Sequence, residues 1–320
     1  MNRFLIPLLI ILILIPGCTK QKAEEPTTGE PLGILKGVSL SPRSSSAEDF
    51  AGFFQEAVQA GDIVMWAGDW NELSIDQGSP KVVMGLASTY GYIPLIEVTI
   101  HSNGKLIRPL NADNLQIYRS RALAFTDDYR PRYLGLGIEM NSLYVKSPTD
   151  FERFVLFYDE VYDTVKKVSP DTQVFTVFQL ELMKGLSMWG IEENEAHWDL
   201  IDRFKSDLVA FTTYPGLFYL DPSSIPVDHY TEIRAYTTKP IAFTEIGWHS
   251  EASPKGWESS EQEQAEFVDT FFRLTNGLDM KIEIWSFMYD PVTIEPFRSM
   301  GLRRGDGTAR PVWNAWLALK

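Results

Sequence analysis

Eight short apolar runs, separated by longer stretches of helical periodicity, constrain this chain more than any other feature of its sequence. The runs are ILKGVSL (34–40), DIVMWAG (62–68), IPLIEVTI (93–100), YLGLGIEM (133–140), TQVFTVFQL (172–180), DLVAFTTY (207–214), IAFTEIGW (241–248) and KIEIWSFM (281–288). Several are almost continuously apolar, the pattern of strands covered on both faces. Between them lie SAEDFAGFFQEAVQAG (46–61), DFERFVLFYDEVYDTVKKV (150–168) and SSEQEQAEFVDTFFRLTNG (259–277), with apolar residues at three and four spacing and Ser or Asp at their starts. This number and alternation predict an α/β fold, a single (β/α)8 TIM barrel over 34–320, with RPVWNAWLALK (310–320) as its last helix. Periodicity alone leaves a doubly wound open sheet as the alternative. The glycine-rich phosphate loop that usually accompanies such a sheet is missing: GVSLSPR holds one glycine, and Gly135 and Gly137 lack a third.

Composition excludes several functions. A net charge of −14 disfavours nucleic acid or an anionic membrane surface as partner, because both need clustered Lys and Arg. Only four His occur, none at metal-ligand spacing, so neither a catalytic metal nor another cofactor is expected. No GxSxG is present and the single Cys lies at the N-terminus, which argues against an acyl-enzyme route. Nine Trp and thirteen Tyr fit either a large packed core or a groove lined with rings.

The N-terminus, MNRFLIPLLIILILIPGC, has one cation, Arg3, then an apolar stretch from Phe4 to Ile15 that is shorter than a bilayer span. It reads as a signal peptide over 1–17. The Ile15-Pro16-Gly17-Cys18 segment resembles the lipobox of prokaryotic lipoproteins, which implies lipidation of Cys18. Residues 18–33 would then be the lipidated Cys and a flexible polar tether, TKQKAEEPTTGEPLG. The expected product is a monomer held outside the cytoplasm, touching a membrane only through its lipid.

Catalytic groups of a barrel lie at the C-terminal strand ends. Those ends carry Ser41 and Arg43, Asp69 and Trp70, His101, Glu139 and Asn141, Gln179 and Glu181, Tyr214, Glu245, and Trp285, with Trp248 just past the seventh. Strict alternation would put Gly135, Gly137, Glu139 and Asn141 on one face, and Ile241, Phe243 and Glu245 on another. An acid buried without a partner is costly, so an acid ending an apolar strand has to be paired, solvated in a cleft or protonated. Strands four and seven face each other across a barrel mouth, where two carboxyls can converge on one glycosidic bond. Glu97 and Glu181 are rival carboxylates less well placed opposite a partner.

The paired Glu139 and Glu245 together with TEIGW, AFTTYPG and WSFMYD resemble a clan A glycoside hydrolase, nearest to the arabinogalactan endo-β-1,4-galactanase family, over residues 34–320. The resemblance implies a retaining, endo-acting enzyme on a β-linked carbohydrate, with Glu139 as general acid/base and Glu245 as nucleophile. It further implies Tyr214 as the donor to that nucleophile and Trp285 as a sugar platform. Asn141, His101, Trp70, Trp248, Arg43 and Asp69 are the further candidates for substrate contact. One departure stands out: the family's Asn before the acid/base is Ile138 here. That substitution keeps two alternatives open, a barrel lipoprotein that binds carbohydrate without cleaving it and an envelope transglycosidase.

Overall fold

The structure is a computed structural model that describes residues 33–187, 194–252 and 258–319. The signal peptide, Cys18 and nearly all of the tether expected at the N-terminus lie outside the described residues. Eight parallel strands form the sheet: β1 (Leu35–Ser39), β2 (Ile63–Asp69), β3 (Ile93–Thr99), β4 (Tyr133–Leu136), β5 in two pieces (Gln173–Phe175 and Val177–Gln179), β6 (Val209–Thr213), β7 (Ile241–Ile246) and β8 (Met280–Trp285). The first piece of β5 pairs with β4 and the second with β6, so the sheet closes through that strand into a barrel. At the break, the Thr176 hydroxyl and the Val177 N–H both donate to the Gly137 carbonyl, at 3.0 and 2.9 Å.

Two apolar layers hold the barrel. Inside it, Leu35, Ile63, Met65, Leu95, Tyr133, Phe175, Val177, Ala210, Ala242, Ile282 and Ile284 pack together. The other strand faces meet the helices α1 (Ala47–Ala60), α2 (Ser79–Tyr90), α3 (Ala112–Tyr129), α4 (Met140–Lys146), α5 (Pro148–Val168), α6 (Leu180–Met183), α7 (Glu261–Thr275) and α8 (Pro311–Ala318). Polar side chains start α1, α3 and α7: Ser46, Asn111 and Ser260 each accept the backbone N–H three residues on, satisfying a donor the helix itself cannot. Strict strand–helix alternation fails after β6, where the described chain forms only 3₁₀ turns at Pro215–Leu217, Pro222–Ser224 and Thr231–Ala235. Pro215, Pro222 and Pro226 follow one another too closely there for an α-helix to continue. Among the described residues, no helix is long and apolar enough to cross a membrane.

Candidate active site

At the C-terminal mouth of the barrel lies a cleft of about 680 Å³, lined by Thr99, His101, Ser102, Asn103, Ile138, Glu139, Tyr214 and Glu245 together with Ala67, Gly68, Phe287, Pro291, Thr293, Ile294 and Phe297. The two glutamates singled out from sequence thus share one cleft, but the backbone brings them there by routes that simple alternation misses. β4 stops at Leu136; Gly137 has φ +125° and Glu139 is left-handed at φ +52° and ψ +47°. A non-glycine residue held there costs on the order of 1–3 kcal/mol, and such strain concentrates at functional positions. The chain then enters α4, so Asn141 sits on a helix and does not share a strand face with Glu139. In β7, Ile241 and Phe243 point to the helical layer while Ala242 points into the barrel. The pairing with β6 shifts register between Phe243 and Glu245, and this bulge re-aims the glutamate into the mouth.

Each glutamate has its own hydroxyl partner. Thr212 Oγ1 donates to Glu139 Oε1 at 2.8 Å. The Tyr214 hydroxyl donates to Glu245 Oε2 and lies 2.9 Å from Ser286 Oγ. Gly247 permits that placement, since a Cβ there would fall 2.8 Å from the Tyr214 ring. Burial, then the negative charges of Glu245 and Glu181, push the Glu139 carboxyl up to about 7, against the Thr212 hydrogen bond. Burial also raises Glu245, opposed by its bond from Tyr214. Inside the barrel below them, Glu97 occupies the space that Gly135 leaves, where a Cβ would lie 2.8 Å from its Cγ. Burial first, then Glu245, hold Glu97 well above the ordinary carboxylate range. His101 accepts the Gly104 N–H on Nδ1 at 3.1 Å, so its neutral ring carries the proton on Nε2; burial lowers its pKa to about 4.

The other sequence candidates fall elsewhere. Trp285 ends β8 on its outer face, fully buried, with Nε1–H donating to the Met300 carbonyl at 2.7 Å and its ring against Trp316 and Phe267. Alternation explains this: Ile282 and Ile284 take the inward positions. Trp248 is likewise buried, donating to Ser259 Oγ and packing on Phe267. Trp70 stacks on Tyr118 beneath Arg108 and Arg121. Asp69 caps the turn starting at Trp70 and pairs with Arg108 at 2.6 Å, while Arg43 pairs with Asp49 at 2.5 Å. Asn141, fully buried, exchanges two hydrogen bonds with the Gln179 backbone. None of these six lines the cleft. Besides Tyr214 and His101, the rings of Phe287 and Phe297 line it, and these two were missed: Phe287 lies past the end of β8 and Phe297 in the loop beyond, where no periodicity applies. Thr212 was also missed, although it follows the inward-facing Ala210 by two residues and could have been found. Among the described residues no group of three His, Cys, Asp or Glu is placed to hold a metal ion.

Two expected results follow from this placement. Trp285→Ala should lower the unfolding free energy by about 3–5 kcal/mol while leaving unchanged whatever ligand affinity calorimetric titration finds for the cleft of the folded parent. Lost affinity at unchanged stability would return Trp285 to the cleft. Tyr214→Phe removes the donor that opposes burial at Glu245, so Glu245 should rise further and any activity that needs it ionised should lose its acid limb to higher pH, with the rate falling about 10–10²-fold. An acid limb that does not move would show that the hydroxyl leaves Glu245 untuned.

No protein-family model matches the sequence, and no curated protein matches it. Solved structures do. The catalytic domain of a family 53 glycoside hydrolase from Ignisphaera aggregans superposes with a TM-score of 0.61 at 15% identity, covering 91% of this chain and 98% of that one. A GH5_18 protein from Streptomyces cattleya, a single-site variant in complex with Manβ1-4GlcNAc, gives 0.65 at 13% identity, covering 89% and 80%. A family 39 glycoside hydrolase from the gut symbiont Bacteroides cellulosilyticus WH2 gives 0.62 at 16%, and this chain spans 62% of that protein's length. All three are glycoside hydrolase barrels of the clan A type, and at these identities the likeness establishes the (β/α)8 fold.

Proposed function

We propose that this protein is a retaining glycoside hydrolase that cleaves a β-linked polysaccharide or oligosaccharide, galactan-like in the first instance and by endo attack, with Glu245 as nucleophile and Glu139 as general acid/base. The observation that carries the reading is one cleft holding two half-buried carboxyls with different partners: an acid raised to about 7 and a second acid held by a tyrosine hydroxyl. Glu245 attacks the anomeric carbon while Glu139 gives its proton to the departing oxygen, leaving a glycosyl ester on Glu245 and a carboxylate at Glu139. That carboxylate then takes a proton from water as the water displaces Glu245, restoring both groups. Phe287 and Phe297 offer faces on which the apolar side of a sugar ring can lie. The mature chain is a monomer tethered outside the cytoplasm by a lipid on Cys18.

The test is product formation by the full-length chain on β-galactan, β-mannan and β-glucan, with the anomeric configuration of the first product read by NMR. Products of retained configuration support the proposal, and inverted products overturn the assignment of Glu245 as nucleophile. One observation favours a second reading: Ile138, beside Glu139, presents an apolar side chain to the cleft, where a donor to a sugar hydroxyl would aid the transition state. Glycan binding without any product in the folded parent would select a carbohydrate-binding barrel instead. Lengthened products at high oligosaccharide concentration would select a transglycosidase.

A further inference from the structure

Beside the catalytic pair lies, in addition to Glu97, a further carboxylate that two-glutamate chemistry does not use. Glu181, in α6, is fully buried. Its Oε1 accepts from Thr213 Oγ1 at 2.6 Å and faces His229 Nε2 at 3.3 Å. Its Oε2 accepts from Gln179 Nε2 at 2.5 Å and from the Tyr214 backbone N–H at 3.5 Å. A hydroxyl, an amide and a backbone N–H thus donate to its two oxygens.

Both arms of this arrangement end at the catalytic pair. On one side, the Gln179 backbone is locked by two hydrogen bonds, of 2.8 and 2.9 Å, to Asn141, two residues past Glu139. On the other, Thr213 and the Tyr214 backbone are continuous with Thr212, which donates to Glu139, and with the Tyr214 hydroxyl, which donates to Glu245. We propose that Glu181 is a positioning residue for both glutamates: a buried carboxylate that clamps the Thr212–Tyr214 segment to the end of β5. This inference goes beyond the hydrolase reading and rests on it for its kinetic consequences.

The clamp also has an electrostatic reach. Glu139 is faced by Glu245 from β7, by Tyr214 from the end of β6, by His101 from beyond β3 and by Glu181 from α6. Glu181 itself is faced by His229, Tyr219 and Tyr230 from the connection after β6. Burial keeps the three tyrosines and His101 neutral at pH 7. Glu181 therefore joins Glu245 in favouring the protonated form of Glu139, the form that must donate.

Two variants of the full-length chain separate charge from clamp. Glu181→Gln removes the charge, and Thr213→Val removes one donor while leaving the charge in place. The readouts are kcat and KM against pH, and a ¹³C-carboxyl NMR titration of Glu139, its signal assigned by its loss in Glu139→Gln. Glu181→Gln should lower kcat by about tenfold or more with KM little changed. It should also move the Glu139 midpoint, and with it the alkaline limb of kcat/KM, downward by about half a unit or more. Thr213→Val should lower kcat and leave that midpoint in place. Parent-like kcat in Glu181→Gln, or an unmoved or raised midpoint, overturns the proposal. Should Glu181→Gln not fold, Thr213→Val decides, with kcat within about twofold of the parent counting against the clamp. If the parent cleaves no glycan, the hydrolase reading falls, whereas the Glu139 titration still reports on Glu181 and an unmoved midpoint still overturns it.

Discussion

Glu245→Gln is expected to lower glycan hydrolysis by on the order of 10⁴-fold or more while leaving the barrel folded and the glycan bound. An amide cannot form the glycosyl ester, yet its carbonyl oxygen can still accept the Tyr214 hydroxyl that now bonds Glu245. Burial raises the Glu245 carboxyl above its ordinary range, so ionising it inside the barrel costs folding free energy that a neutral amide does not incur. The variant should accordingly unfold at or above the parent's midpoint. The measurement pairs initial rates on the three glycans with calorimetric binding and thermal unfolding. Intact mass after exposure to a slow-turnover fluoroglycoside adds a second readout, an adduct on the parent and none on the variant. A folded variant that keeps activity within about tenfold of the parent would remove Glu245 from the chemistry.

The charge count of the site supports that division of labour. Glu97, Glu139 and Glu245 are three acids under or in one cleft, and each is raised by burial. Burial and the neighbouring Glu245 favour the neutral form of Glu97, and Gly135 is what lets its side chain lie there. The proposed reaction starts with the pair's negative charge on Glu245, where the Tyr214 hydroxyl can stabilise it, and the proton on Glu139. In the proposed reaction, glycosylation of Glu245 would move that charge to Glu139, beside the Thr212 hydroxyl. The net charge of the cleft is unchanged across the step, so little solvent has to reorganise around it.

Much of this was legible in the chain. Eight apolar runs specify eight strands because burial on both faces demands it, and the described barrel has them at the expected places. Glu139 and Glu245 could be picked out because an ionisable group at the end of an apolar strand needs a reason to be there. The geometry that brings them into the cleft could not be read the same way. Alternation assumes regular backbone, and both glutamates sit where it fails, Glu139 in a left-handed turn and Glu245 past a bulge. Trp285 was assigned to the cleft from its place at the end of the eighth run and from the family resemblance, whereas alternation, with Ile282 and Ile284 inward, turns it to the helices. Trp70 and Trp248 were candidates by composition and position, but an indole N–H and a large ring are satisfied equally well by core packing. Glu181 was set aside for lacking a partner across the barrel. Its partners are instead Gln179 and Thr213 beside it and His229 from a distant loop, and only the fold brings the last two to it.

Glu139→Ala should be nearly as damaging on natural glycans but recoverable in a way that Glu245→Ala is not. With a substrate whose aglycone leaves without protonation, Glu139→Ala can still form the glycosyl ester on Glu245, and the ester then accumulates because no base activates water. Azide needs no base, so it should restore turnover and yield a glycosyl azide of the substrate's own β configuration, the product of two displacements. In Glu245→Ala azide enters the space the nucleophile vacates and should give the α azide, a single displacement. Proton NMR of the two products reads the assignment directly, and the reverse pattern would exchange the roles. The pH profile supplies a second check on the same residue. A carboxyl raised to about 7 donates its proton only while protonated, so the parent's kcat/KM should fall as pH rises through about 7. In Glu139→Ala, assayed with the activated substrate, that alkaline limb should vanish while the acid limb, which reports ionisation of Glu245, remains. An alkaline limb that survives the substitution would assign it to another group and leave Glu139 without its part as the acid.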